Sequence, residues 1–219
     1  MSDAAETGDE LPVVDPDELG PPTREGPVVG VLLAAGASER FGEPNKLLAD
    51  VEGEPMVRRA ARSLTEGDVD DVVAVVGYEA DRVRAALDGL ALEVVENPDH
   101  AEGQATSVRV GVRAARRAGA AAVCFALGDM PWVDPGTVDA LVAAYRAGAG
   151  DALAAAVDGV RGNPTLFDAR HFDALAAVSG DVGGRGILLA DDDAALVETG
   201  DPGVRRDVDA PDDLTGSDA

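Results

Sequence analysis

Short apolar runs alternate with longer segments of helical spacing along most of this chain, and that alternation leaves few folds open. VVGVLL (28–33), DVVAVVG (71–77), LEVVE (92–96), AAVCFAL (121–127) and DALAAAV (151–157) read as strands. The first and fourth are apolar at consecutive positions, as strands covered on both faces are, so they are expected at the centre of a sheet. Between them, EPMVRRAARSLTE (54–66), EADRVRAALDGL (79–90), ATSVRVGVRAARRAG (105–119) and PGTVDALVAAYRAG (135–148) carry apolar residues at helical intervals. Pro135 suits the first turn of its helix. Past residue 159 the pattern is less regular, with helices expected at 169–178 and 184–190. Strand and helix in alternation imply an α/β chain: a mostly parallel, Rossmann-like sheet between two helical layers, a three-layer αβα sandwich.

Residues 1–26 are rich in Pro, Gly and acids and lack sustained periodicity, so they are expected to form a disordered acidic tail before a single domain spanning 27–216. The net charge is −24, of which −7 falls in the first 25 residues and −17 on the rest. Acidity spread over the whole body, with one lysine against seventeen arginines, reads as adaptation to high salt. It also argues against nucleic-acid binding, which needs a basic footprint. No apolar run is long enough for a membrane-spanning helix, and the acidic N-terminus lacks the apolar stretch of a secretory signal, so a cytoplasmic location is expected. The single cysteine, Cys124, excludes an internal disulfide and reads as core. His100 and His171 read as surface or helix-end residues.

In sheets of this kind ligands bind beyond the carboxyl ends of the strands, so the loops that follow the strands hold the chemistry. After the first strand comes AAGASERFGEPNK, which contains the one lysine, Lys46. Ala34, Ala35, Gly36 and Ala37 have almost no side chain, which lets a ligand approach the backbone N–H groups. Arg40 adds a planar fork that suits phosphate, and Lys46 a compact point charge. The spacing matches neither a P-loop nor a GxGxxG fingerprint. After the fourth strand, CFALGDMPWV puts Asp129 where the apolar run ends, a position suited either to a turn or to holding a hard divalent cation. After the third strand, Gly103-Gln104 opens a helix with Ser107 in its first turn. Free N–H groups at such a start favour anions, and the Gln104 amide offers a donor and an acceptor to a base edge.

The stretch LLAAGASERFGEPNKLL resembles the LAAGxSxRxG-x-x-K loop of nucleotidyltransferases with a glycosyltransferase-A-like fold, of the nucleotide-diphospho-sugar transferase type. That family includes enzymes that transfer CMP or GMP to molybdopterin and enzymes that activate sugar phosphates. The chain departs from it in one place: three residues, Glu43, Pro44 and Asn45, separate Gly42 from Lys46 where two are common. The resemblance extends to GDMP at Asp129, to RRDVDAPDDL near the C-terminus, to RGNPTLF (161–167) and to SGDVGGRGIL (179–188), and so covers about 28–214. It implies that Leu33, Ala34, Ala35, Gly36, Ala37, Ser38, Arg40, Lys46, Gln104 and Ser107 bind the nucleotide. It further implies that Lys46, Arg40 and Asp129 serve catalysis, that Asp129 and Asp209 hold Mg²⁺ or Mn²⁺, with Asp207 in reserve, and that Asn163, Asp181 and Arg185 bind the acceptor.

The segment GQxxS is similar to molybdenum-cofactor cytidylyltransferases more than to the guanylyltransferases. The implied reaction is therefore transfer of CMP from CTP to a molybdopterin-type substrate, with a molybdenum-dependent oxidoreductase as a downstream partner. Use of GTP, or of another phosphorylated acceptor such as a sugar phosphate or phospholactate, stays open. So does a non-enzymatic role as a cofactor carrier.

Overall fold

The computed structural model describes residues 11–37, 45–180 and 183–214. Its ten strands are β1 (Val13–Val14), β2 (Val28–Ala34), β3 (Asp50–Val51), β4 (Glu54–Pro55), β5 (Asp71–Val76), β6 (Glu93–Glu96), β7 (Ala122–Leu127), β8 (Ala152–Val157), β9 (Val160–Asp168) and β10 (Ala194–Glu198). The α-helices are α1 (Met56–Thr65), α2 (Ala80–Leu87), α3 (Gln104–Arg117), α4 (Pro135–Ala147), α5 (Phe172–Ala177) and α6 (Arg185–Ala190). Eight strands form one sheet in the order β1-β10-β8-β9-β7-β2-β5-β6, while β3 and β4 make a separate small hairpin. Every pairing in the large sheet is parallel except those of β9 with β7 and β8.

The period of two along each strand divides the core into two. From β2, Val28 and Leu32 pack on one face while Val29 and Val31 pack on the other, and β5 and β7 alternate in the same way. Helices α1, α2 and α4 cover the first face through Leu64, Val83, Leu87 and Leu141. Helices α3, α5 and α6 cover the second through Val108, Val112, Leu175 and Leu188. This is the expected three-layer sandwich, with β2 and β7 buried at its centre as the consecutive apolar residues imply. Cys124 lies fully buried in β7, where desolvation pushes its thiol up to about 12.

One expectation from sequence needs correction. Residues 11–26 are laid against the domain rather than forming part of a structureless tail. Val13 and Val14 pair with Leu196 and Val197, Leu11 joins one core face, and Val14 and Leu19 join the other. Apolar residues among the acids hold the start of this arm and Arg24 its end, through Asp151 and Gly150, while residues 1–10 lie outside the described residues. The segment 161–167, to which no element is assigned from sequence, makes up most of the antiparallel strand β9. Its Pro164 is accommodated because the ladder with β8 skips there, passing from Ala154↔Thr165 to Ala156↔Arg161.

Ion pairs close the end of the sheet where β8 and β10 begin. Arg170 reaches both Asp151 and Asp191, Arg24 reaches Asp151 at 2.6 Å, and His171 lies 2.7 Å from Asp191. Burial alone would raise the Asp191 carboxyl, whose side chain is 4% exposed. Hydrogen bonds from Arg170 and the Asp193 backbone, with the nearby charges of Arg170 and His171, outweigh it and hold Asp191 below the usual carboxylate range. A depressed carboxyl stabilises the fold above its unfolded value, and that contribution is lost as pH falls through the folded one. Asp191→Asn is therefore expected to cost about 2 kcal/mol near neutral pH, or ~5 °C in Tm. Thermal melts of the two proteins should converge as the pH drops below about 4.

Candidate active site

β2, β5 and β7 are parallel neighbours, so the loops after them open on one edge of the sheet. Ala35, Gly36 and Ala37 follow β2, and Asp129 follows β7. The short turn His100–Glu102 lies between β6 and the start of α3. With Leu33, Lys46, Gln104, Ser107 and Gly180 they line a cavity of about 670 Å³. A second hollow of similar size, about 650 Å³, sits at the opposite ends of β2, β5 and β6 beside Asp70, Glu93 and Arg117. No motif falls there, and in open α/β sheets ligands are taken at the carboxyl ends of the strands.

Lys46 stands at the centre of the first cavity's chemistry. Asn45 caps a single helical turn, Lys46–Leu48, by accepting the Leu47 N–H at 3.1 Å. That turn buries Leu47 in the core and leaves Lys46 8% exposed. A buried ammonium needs an acceptor for each of its three N–H bonds. Lys46 Nζ finds Asp129 Oδ2 at 2.9 Å, the Val208 carbonyl at 2.9 Å and Asp209 Oδ1 at 3.4 Å. The Glu43–Asn45 spacer thus does not keep the lysine out of the site.

The two carboxylates are unequal. Asp129 is 25% exposed and Asp209 56% exposed at the side chain. Asp129 hangs from a well-fixed loop: the Gly128 N–H donates to Leu33, so the β2–β7 ladder runs past the end of β7. Asp209 is held by the chain around it. Val208 is fully buried beside Val51 and Met56 with Trp132 against them, and its N–H donates to the Asp129 carbonyl. Arg206 lies over the Trp132 ring at 3.5 Å. Four residues on from Asp209, Asp213 accepts the N–H groups of both Ala210 and Asp209, which hold its carboxyl below the usual range.

The start of α3 is set by a residue that sequence reasoning passed over. Asn97, 1% exposed, donates to Thr106 Oγ1 at 2.8 Å and Ser107 Oγ at 3.0 Å, while its own N–H donates to Val76. It fastens the first turn of α3 to the end of β5, so Ser107 both lines the cavity and accepts from Asn97. Gln104 opens α3 as expected and is exposed at the cavity edge, with Gly183 packed close to its amide. His100, read from sequence as a surface or helix-end residue, lines the cavity. Gly77 has to be glycine to admit it, because a Cβ there would lie 2.6 Å from that of His100. No local pattern in ENPDHAEG marks either Asn97 or His100.

The structure does not bring every expected residue to the cavity. Ala34 is still within β2, and its side chain joins the core beneath α1. Asn163 lines a smaller recess of about 210 Å³ with Arg161, Arg205, Asp207 and Met130, next to the cavity through the shared Leu127. Asp207 lines that recess, while Lys46 is met by Asp129, the Val208 carbonyl and Asp209. Arg185 is exposed at the first residue of α6 and lines neither space. Ser38, Arg40 and Asp181 lie outside the described residues. Among the described residues no three His, Cys, Asp or Glu side chains cluster as a metal cage, and no helix is long and apolar enough to cross a membrane.

Comparison with known proteins fits this geometry. Residues 30–195 match the MobA-like NTP transferase domain. The chain belongs to this family. It is similar to nicotine blue oxidoreductase of Paenarthrobacter nicotinovorans, 34% identical over 193 residues, covering 83% of this chain and 92% of that one. A probable molybdenum cofactor guanylyltransferase of Natronomonas pharaonis is 36% identical over 108 residues, 48% of this chain and 51% of that one. Among solved structures, Rv0371c of Mycobacterium tuberculosis superposes with a TM-score of 0.74 at 27% identity, over 88% of this chain and 97% of its own. A complex of Rv0371c with manganese also matches, with a TM-score of 0.69. As a MobA-like NTP transferase the chain is a nucleotidyltransferase.

Asn97→Ala should leave two buried hydroxyls without their donor. The expected loss is about 2 kcal/mol of stability, read as a lower urea midpoint with an unchanged slope.

Proposed function

We propose that this MobA-like transferase moves a nucleoside monophosphate from an NTP to the phosphate of a molybdopterin-type acceptor. The observation that carries the reading is the junction at Lys46. An ammonium and two carboxylates from distant parts of the chain meet beside a cavity bordered by the open backbone of Ala35–Ala37.

In the reaction an acceptor phosphate oxygen bonds to the α-phosphorus of the NTP, the bond to the β-phosphate oxygen breaks, and pyrophosphate leaves with its electron pair. The nucleophile is already anionic near neutral pH, so no strong base is required. The difficulty is to bring two anions into line, which makes positioning and charge the main work of the protein. The N–H groups of the 35–37 loop and the start of α3 suit phosphate oxygens, while the Gln104 amide suits a base edge. Lys46 and Arg40 offset phosphate charge. Asp129 and Asp209 fit a hard divalent ion, Mg²⁺ or Mn²⁺, since their oxygens already converge on one cationic group and such ions complete their shell with phosphate oxygens and water. Bound there, the ion would supply charge neutralisation along the phosphates. The manganese complex of Rv0371c supports this choice. For the acceptor, Asn163 in its recess between Arg161 and Arg205 suits an anionic group, and Asp181 and Arg185 are assigned to the same substrate.

CTP is the donor that the GQxxS start of α3 favours. GTP is the second reading, favoured by the name of the Natronomonas pharaonis relative. Incubating the protein with each NTP, Mg²⁺ and molybdopterin in molar salt, and following pyrophosphate, separates the two. Release with CTP is expected, and release with GTP alone overturns the cytidylyl assignment. Lys46→Ala should lower kcat at least ~100-fold in the same assay while the far-ultraviolet spectrum stays unchanged. Asp129→Ala should abolish transfer, whereas a carrier that hands finished cofactor to an oxidoreductase would tolerate it.

A further inference from the structure

The carboxylate oxygens suited to a divalent ion are the ones that Lys46 already holds. Nζ lies 2.9 Å from Asp129 Oδ2 and 3.4 Å from Asp209 Oδ1, with the Val208 carbonyl as its third acceptor at 2.9 Å. An ammonium in that position and a metal ion drawing on the same oxygens repel each other at close range, in a partly buried place where screening is weak. We propose that Lys46 is the resident counter-ion of the metal site. It excludes divalent ions from the empty enzyme and leaves the carboxylates only when a triphosphate offers it new acceptors. The inference rests on the reading that Asp129 and Asp209 hold the metal.

The surroundings make this exchange possible in one direction. Lys46 also lines the cavity, so its ammonium can turn from the carboxylates to the space that the phosphates fill. Its backbone cannot follow, because Leu47 and the Asn45 cap hold the turn in the core. Without phosphates, departure would strip a buried ammonium of three acceptors, which is costly. With them, the ammonium trades carboxylates for phosphate oxygens while the metal takes the vacated carboxylates. Metal and nucleotide then load together, beyond what shared ligation alone provides. A chain with 42 acids has particular use for such a stopper, since an open carboxylate pair on so negative a surface collects stray cations.

Metal binding, not turnover, provides the test. Mn²⁺ affinity is measured by electron paramagnetic resonance on the full chain and on Lys46→Gln and Lys46→Arg, first without nucleotide. Lys46→Gln keeps a donor for Val208 but no charge, and is expected to bind Mn²⁺ at least ~10-fold more tightly than the wild type. Lys46→Arg should stay within ~3-fold of wild type. Equal affinity in wild type and Lys46→Gln overturns the proposal. With a non-hydrolysable CTP or GTP analogue present, the advantage of Lys46→Gln should vanish or reverse; if it persists unchanged, the lysine does not move to the phosphates and the proposal fails. The chain's single lysine gives a second readout: protein labelled with ¹⁵Nζ-lysine has one side-chain ammonium signal. Mg²⁺ alone at submillimolar levels should leave it in place, and Mg²⁺ with the analogue should shift it. A signal that stays put with both bound overturns the exchange. Failure of the analogue to bind any of the proteins would instead count against the nucleotidyl-transfer reading, while the comparison of Mn²⁺ affinities still judges Lys46.

Discussion

A buried ammonium has to be met by oxygen from somewhere, and in this protein that demand organises the whole functional edge. Lys46 is placed by its own capped turn, but its acceptors arrive from 83 and more than 160 residues further along. One is the loop that ends the central strand β7. The others are the carbonyl of Val208 and the carboxylate of Asp209, near the end of the described chain. The C-terminal segment is therefore part of the site. Its apolar residue is sunk beside Met56, and its backbone is bonded to the same loop that offers Asp129. Loops at the end of a sheet are ordinarily its least constrained parts. Here three of them are tied through one atom.

Most of the sandwich was legible because its signals are local. The five strands and six helices named from sequence appear within a few residues of their expected bounds, since apolar runs and helical spacing need no partner to be read. The strands that escaped notice depend on neighbours. β9 begins Val-Arg-Gly-Asn-Pro, which looks like a loop until β8 and β7 are placed on either side of it and the bulge at Pro164 is seen. β1 is two valines among acids and exists because β10 offers an open edge. The structure gathers Lys46, Asp129, Asp209, Gln104 and Ser107, each named from its motif, at one edge of the sheet. Asn97 and His100 did not announce themselves, because their roles come from a contact across the sheet and from a glycine at position 77. Asp207 and Asp209 differ in nothing that composition shows; only the path of the folded chain puts one in the small recess and the other on Lys46.

The scarcity of cations shapes the rest of the molecule. With 18 Lys and Arg against 42 Asp and Glu, few carboxylates can have a cation to themselves. Arginine's several fixed donors allow sharing, and the structure uses this at the end of the sheet opposite the site, where Arg170 serves Asp151 and Asp191 while Arg24 joins Asp151 from the N-terminal arm. Lysine, a more compact and mobile charge, is kept for the one place where a charge has to change partners.

The arm formed by residues 11–26 has a consequence beyond its own anchoring. A sheet closes on itself in a barrel, but an open sheet ends in a strand with unpaired N–H and C=O groups, and such a strand invites pairing with another molecule. β10 would be that strand here. Val13 and Val14 take its free side, and Arg24, stacked 4.9 Å from the Tyr145 ring and bonded to Gly150, fixes the arm at its far end. The arm thus gives the backbone of β10 at Leu196 and Val197 a partner from its own chain, where an uncovered strand would offer those groups to another molecule.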